Sequence, residues 1–147
     1  MQEFLVAACL ALIVAAATVG CGGGPHPTYP VEGTVKFSDG TPLKGGWIEV
    51  RLKAGSDRVL ARGAIDVDGT FLLSTFQAGD GAVLGKHQVI VSPALPAGEQ
   101  GDRPIPTTVI HVKHTRFDTS AFEFDVTQEA SPNRWDIVVE RAPRTIR

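Results

Sequence analysis

The sequence predicts an all-β fold, a β-sandwich of seven short strands, and three observations carry that prediction. Apolar and polar residues alternate with a period of two along several segments beyond residue 30. Asp-Gly pairs punctuate the alternation at Asp39-Gly40, Asp68-Gly69 and Asp80-Gly81, where turns need a residue tolerant of positive φ. No segment after residue 21 repeats its apolar residues at helical spacing. Short alternating strands separated by frequent turn signals are the pattern of a sandwich.

The first strand is expected at Val31–Phe37, with Val31, Gly33, Val35 and Phe37 on one face and Glu32, Thr34 and Lys36 on the other. Asp39-Gly40 turns the chain, and Pro42 suits a loop rather than a ladder. The second strand, Trp47–Lys53, turns Ile48, Val50 and Leu52 inward. Gly45-Gly46 before it suits a bulge or a close backbone approach. The third strand, Val59–Asp66, points Ala61, Gly63 and Ile65 inward; the fourth, Thr70–Phe76, points Phe71 and Leu73 inward. Joined by Asp68-Gly69, these two read as the most secure hairpin of the chain. The fifth strand is Gly85–Ser92, with His87, Val89 and Val91 on its apolar face. The sixth is Ser120–Val126 (Phe122, Phe124 and Val126 inward), and the seventh Arg134–Glu140 (Trp135, Ile137 and Val139 inward). Between the fifth and sixth lies a Pro-rich stretch, 93–119, long enough to carry a function or local structure of its own. Within it, the β-branched Thr107–Lys113 suits a short extra strand.

The chain has 147 residues, 43% of them apolar and 20% charged, which suits one globular domain with a core. Its formal net charge of -2, with no basic run, argues against a nucleic-acid partner. The 2 cysteines, Cys9 and Cys21, both precede the β region. That region therefore has no thiol nucleophile, no disulfide and no cysteine metal site.

Phe4–Val19 is an uncharged apolar run, short for a membrane span, and small residues follow it. Residues 1–20 therefore read as a signal peptide. Met1-Gln2-Glu3 lacks the positive charge a signal carries, so the expectation is an atypical signal or a start further upstream. Thr18-Val19-Gly20-Cys21 resembles a bacterial lipobox, with Thr18 where that pattern usually has Leu. The resemblance implies that Cys21 becomes the lipidated first residue of an exported protein, held to a bacterial membrane and facing the periplasm or the cell exterior. Two or more acyl chains hold firmly where one does not. Residues 21–30 then read as a flexible linker containing His26, 31–141 as the sandwich and 142–147 as a tail.

The order Val31-x-Gly33-x-Val35, Asp39-Gly40-x-Pro42-Leu43-x-Gly45-Gly46, Ile65-Asp66-x-Asp68-Gly69-x-Phe71-x-Leu73 and Gly85-x-x-x-Val89-x-Val91 resembles the carboxypeptidase regulatory-like domain. That resemblance covers residues 31–92 and implies a seven-stranded Greek-key sandwich of the transthyretin type. Small bacterial lipoproteins that pair such a domain with a lipobox are similar along their length. Such domains are usually accessories for folding, adhesion or binding, so the fold is nearly silent on function. The transthyretin-like hydrolases end in Tyr-Arg-Gly-Ser; Ala142-Pro143-Arg144-Thr145-Ile146-Arg147 departs from that ending, which removes this activity from what the resemblance implies.

The remaining candidates for chemistry each have a plainer reading. His111-Val112-Lys113-His114 would put both rings on one face of a helix but on opposite faces of the expected strand, and no third ligand is near in sequence. His87 reads as an imidazole at the core edge satisfied by a backbone carbonyl, against a general base. Asp66, Asp68 and Asp80 read as turn formers, since the later ligands of a calcium loop are missing. A Lys–Asn cross-link would need a buried lysine near Asn133, and Lys36 lies on the polar face. No Gly-x-Ser-x-Gly stretch occurs. The expectation is no catalytic residue, no metal and no cofactor.

Trp47, Leu60, Ile90 and Val138 fall on outward faces. Clustered, they would form an apolar contact patch; otherwise the long loop or the tail covers them. Arg103, Lys113 and Arg116 in the loop suit an acidic partner or glycan. The functional expectation is a lipid-anchored, non-catalytic envelope module that binds a protein or polysaccharide or gives structural support. The alternative is a carbohydrate-binding module using Trp47, and an enzyme of unknown type comes third.

Overall fold

The structure, a computed structural model, describes residues 26–55, 58–94 and 109–143. The signal peptide, Cys21, most of the Pro-rich stretch (95–108, with Arg103) and the end of the tail lie outside the described residues. Among those described, nine strands run in the order β1 Thr28–Tyr29, β2 Val31–Phe37, β3 Gly46–Leu52, β4 Leu60–Ala64, β5 Thr70–Leu72, β6 Ala82–Val83, β7 Gly85–Pro93, β8 Glu123–Val126 and β9 Asn133–Val139. A single 3₁₀ turn, Val112–Thr115, lies between β7 and β8. The fold is all-β with several sheets, consistent with a β-sandwich. The seven expected strands are all present, each within a few residues of its expected bounds.

One sheet has the order β5-β2-β9 and the other β4-β3-β7-β8, with β1 and β6 forming a small pair beside them. β2 and β9 run parallel, in register from Val31 beside Asn133 to Phe37 beside Val139. Alternate residues of both larger sheets enter one core, including Val35, Ile48, Val50, Leu73, Val89, Val91 and Ile137, all fully buried. The period of two read from the sequence is thus the alternation between this core and the outer faces.

The expected hairpin of the third and fourth strands pairs at its turn and again at Arg62 and Ser74, but not as one continuous ladder. Asp66 and Gly69 close it through Gly69 N–H donating to the Asp66 carbonyl at 2.9 Å, with Gly69 at φ +84°. Beyond single bridges at Ile65–Phe71 and Arg62–Ser74, the two strands go to different sheets, β5 pairing with β2 instead. Gly33 makes the β5-β2-β9 sheet workable, because a Cβ there would stand 2.0 Å from the Trp135 carbonyl oxygen and 2.7 Å from the Phe71 ring. β5 also stops short of Phe76. The Asp80 carboxylate accepts the backbone N–H groups of Thr75, Phe76 and Gln77 at 2.7, 3.0 and 3.0 Å, which bends the chain away.

Two further expectations change. The end of the expected linker is strand, since Thr28 and Tyr29 pair with Val83 and Ala82. The described part of the expected Thr107–Lys113 strand makes only one bridge, Ile110 to Arg141, and then turns as the 3₁₀ helix. That helix and the residues after it settle on β7. Gln88 Nε2 donates to the carbonyls of Phe117 and Ser120, Ser120 Oγ donates to the Val89 carbonyl at 2.5 Å, and the Arg51 guanidinium lies 4.3 Å from the Phe117 ring centroid.

Candidate functional site

The four outward apolar residues do not form one patch. Ile90 is 9% exposed, because the segment on β7 covers that side of the strand. Val138 is exposed, but on β9 in the opposite sheet. Trp47 (58% exposed) and Leu60 (43%) share the β3–β4 face at opposite ends of the paired stretch, Trp47 beside Ala64 and Leu60 beside Arg51. Between them stands the Arg62–Glu49 ion pair at 2.5 Å. Local alternation predicts the face of each residue correctly; it carries no information about which sheet the strand joins.

His111 and His114 come together in a way the strand expectation excluded. A 3₁₀ turn nearly eclipses residues three apart, and the rings stand edge to face at 6.4 Å between centroids. His111 caps the turn, its Nδ1 accepting the Lys113 N–H at 3.2 Å. His114 is 5% exposed and stacks on Phe122 at 4.8 Å. Its Nε2 accepts the Glu140 backbone N–H at 3.2 Å, which leaves the proton of the neutral ring on Nδ1. That Nδ1 is buried without a partner among the described residues. Burial pushes the His114 pKa down, the Lys113 charge pushes it further, and Glu140 opposes both. A ring whose lone pair is already occupied, and whose N–H faces no acceptor, is poorly placed as a base. Among the described residues, no three His, Cys, Asp or Glu side chains converge as a metal would require.

His87 is 1% exposed, with Nδ1 2.9 Å from the Gly85 carbonyl, as the plainer reading expects. Burial lowers its pKa against the opposing effects of that carbonyl and Asp125. It sits beside Trp135, whose own ring stacks on Phe124 at 4.9 Å. The turn aspartates are likewise engaged by the backbone: Asp68 accepts Thr70 N–H and Oγ1–H at 3.0 and 2.6 Å, and Asp80 accepts the three N–H groups named above. Asn133 gives its amide hydrogens to backbone carbonyls rather than meeting a lysine.

Two concavities were not legible in the sequence. A groove of about 560 Å³ crosses the β5-β2-β9 sheet. Its outer rows are the Arg134–Glu32 ion pair at 3.0 Å and Thr34 Oγ1 donating to Asp136 at 2.5 Å. Those pairs depend on the parallel register of the first and last long strands, some hundred positions apart. The other, about 240 Å³, lies at the end of the sandwich where the chain joins the fold. Leu52, Val59, Val83 and Leu84 line it with His26 and Pro27, and Leu84 is 51% exposed. Residue 84 lies between β6 and β7, outside every stretch of alternation, so no periodic signal marks it. No family model, no curated protein and no solved structure matches this chain.

Proposed function

We propose that this chain is an exported, non-catalytic envelope module, anchored to a bacterial membrane by lipid on Cys21, with a Greek-key sandwich of the carboxypeptidase regulatory-like type. The sequence supports the anchor: an apolar run ends in Thr18-Val19-Gly20-Cys21, and the first strand begins at Thr28, only a short tether later. The observation that carries the non-catalytic part is how the polar side chains are used. His87, His114, Asp68, Asp80 and Asn133 each bond to the backbone of their own fold. Groups committed this way hold loops and strand ends in place.

Metabolic labelling with a fatty acid tests the anchor. The full chain takes up label and Cys21→Ser does not; label on the Cys21→Ser chain refutes it. Binding of an envelope protein or polysaccharide is tested by pull-down with the lipidated chain and by a glycan array. The carbohydrate-binding alternative rests on the exposed Trp47 ring, which has Ala64 and Ser92 as its cross-strand neighbours and so offers a single stacking surface. Glycan binding lost in Trp47→Ala would favour that alternative.

A further inference from the structure

We propose that the apolar end of the sandwich around Leu52, Val59 and Leu84 docks onto the lipid surface that carries the anchor, so that the domain lies against the membrane in one orientation. This rests on the anchored reading. The cavity of about 240 Å³ is open at that end and walled by aliphatic side chains. Leu84 is 51% exposed at its rim. An exposed leucine beside an open apolar cavity suits a contact surface.

The occupant is indicated by where the chain joins the domain. His26 and Pro27 are themselves part of the cavity wall, and Cys21 precedes His26 by five positions. Five residues span at most roughly 17 Å even when fully extended. An acyl-bearing Cys21 at the bilayer surface therefore keeps this end within about that distance of the lipid. The far end of β3 lies about 20 Å away at the usual rise per residue. There Gly45 N–H bonds the Asp66 carbonyl, and the exposed Val67 tips the β4–β5 turn.

Two lysines close in sequence to the wall residues carry matching carboxylates, which favours an apolar contact over an electrostatic one. Lys53 pairs with Glu123 and Lys86 with Asp125 at 3.5 Å, so these lysines are matched by carboxylates. Docking through Leu84 and its neighbours should then be insensitive to salt and to anionic lipid.

The test uses the full lipidated chain in phosphatidylcholine vesicles whose acyl chains carry bromine, a short-range quencher of tryptophan. Leu84→Trp and Val67→Trp place probes at exposed positions of opposite ends, over the common background of Trp47 and Trp135. The added emission of Leu84→Trp should fall about twofold in brominated vesicles, with Val67→Trp unchanged and both results the same at about 0.5 M salt. Flotation of the same vesicles separates the two readings. A chain that does not float overturns the anchor and the docking together. A chain that floats, with equal or no quenching of the two probes, overturns the docking and leaves the anchor intact. A Leu84→Trp emission that shifts with protein density but is not quenched means that a second copy covers this end, and also overturns the proposal.

Discussion

Asn133 and Pro30 are tied twice: the backbone N–H of Asn133 donates to the Pro30 carbonyl at 2.8 Å, and its side-chain amide reaches the same oxygen at 3.3 Å. The contact joins the residue before β2 to the first residue of β9, where their parallel pairing begins. The same amide nitrogen reaches the carbonyls of Thr127 and Ala130 at 3.2 and 3.0 Å, and Oδ1 accepts the Thr127 N–H at 2.9 Å. Asn133 is 3% exposed, so water does not readily replace these bonds.

Asn133→Ala is therefore expected to cost about 2 kcal/mol, from buried backbone groups left without partners. Asn133→Asp should cost more. It retains an acceptor for Thr127 but turns an oxygen toward carbonyl oxygens. Urea unfolding midpoints check the order; an Asp variant as stable as the parent would show that the amide donors contribute nothing.

Gly33 is a steric requirement of the β5-β2-β9 sheet. A Cβ there would lie 2.7 Å from the Phe71 ring and against the Trp135 carbonyl, with rigid backbone on one side and the core on the other. Gly33→Ala should destabilise by about 1–3 kcal/mol, the usual range for overpacking. A paired Gly33→Ala, Phe71→Leu variant should recover part of the loss in the same unfolding experiment. No recovery would place the clash at the Trp135 carbonyl alone.

Gly33 also illustrates what a sequence can carry. Its position on the inward face of β2 follows from Val31, Val35 and Phe37 on either side of it. That Phe71 fills the space follows only from β5 joining β2, which no local pattern encodes. The same holds for Trp47 and Val138, outward as expected but on different sheets. Ile90 obeys the alternation and is covered by residues 112–120, a segment whose 3₁₀ turn depends on His111 capping and on packing against β7. The histidines followed the same division. The carbonyl partner of His87 is two residues away and was foreseeable, whereas Glu140, the partner of His114, is brought in by β9.

Arg141 lies with its guanidinium 3.8 Å from the Phe37 ring centroid and donates to Asp39 at 2.9 Å and to Thr41 Oγ1 at 2.7 Å. The Asp39 carboxyl is held well below the ordinary carboxylate range, first by the Thr41 hydroxyl, then by Arg141. Thr41→Val and Arg141→Ala should therefore each raise the Asp39 pKa, read by carboxyl NMR titration. A value that does not move in Arg141→Ala would leave the turn alone as the cause.

Acid should weaken the fold in two separate windows, the upper one set by His87 and His114. Both have folded pKa values below the ordinary 6.5, chiefly through burial. Between those lowered values and 6.5 the unfolded chain binds more protons than the folded one, so stability rises with pH there. Their contribution is complete above 6.5 and declines as pH falls below it, by at most about 1.4 kcal/mol per pH unit for each ring. Asp125 faces His87 and opposes the decline; Glu140 does so for His114, while Lys113 and His111 add to it. The carboxylates of Asp39, Asp68 and Asp118 have lowered values and contribute only in a more acidic window, below about pH 4. Urea midpoints between about pH 5 and 8 should accordingly fall on the acid side and level off above 6.5. His114→Phe, which preserves the stack on Phe122, should reduce the slope while lowering stability at high pH through the Glu140 N–H it leaves unpaired. An unchanged slope in that variant would assign the whole upper window to His87.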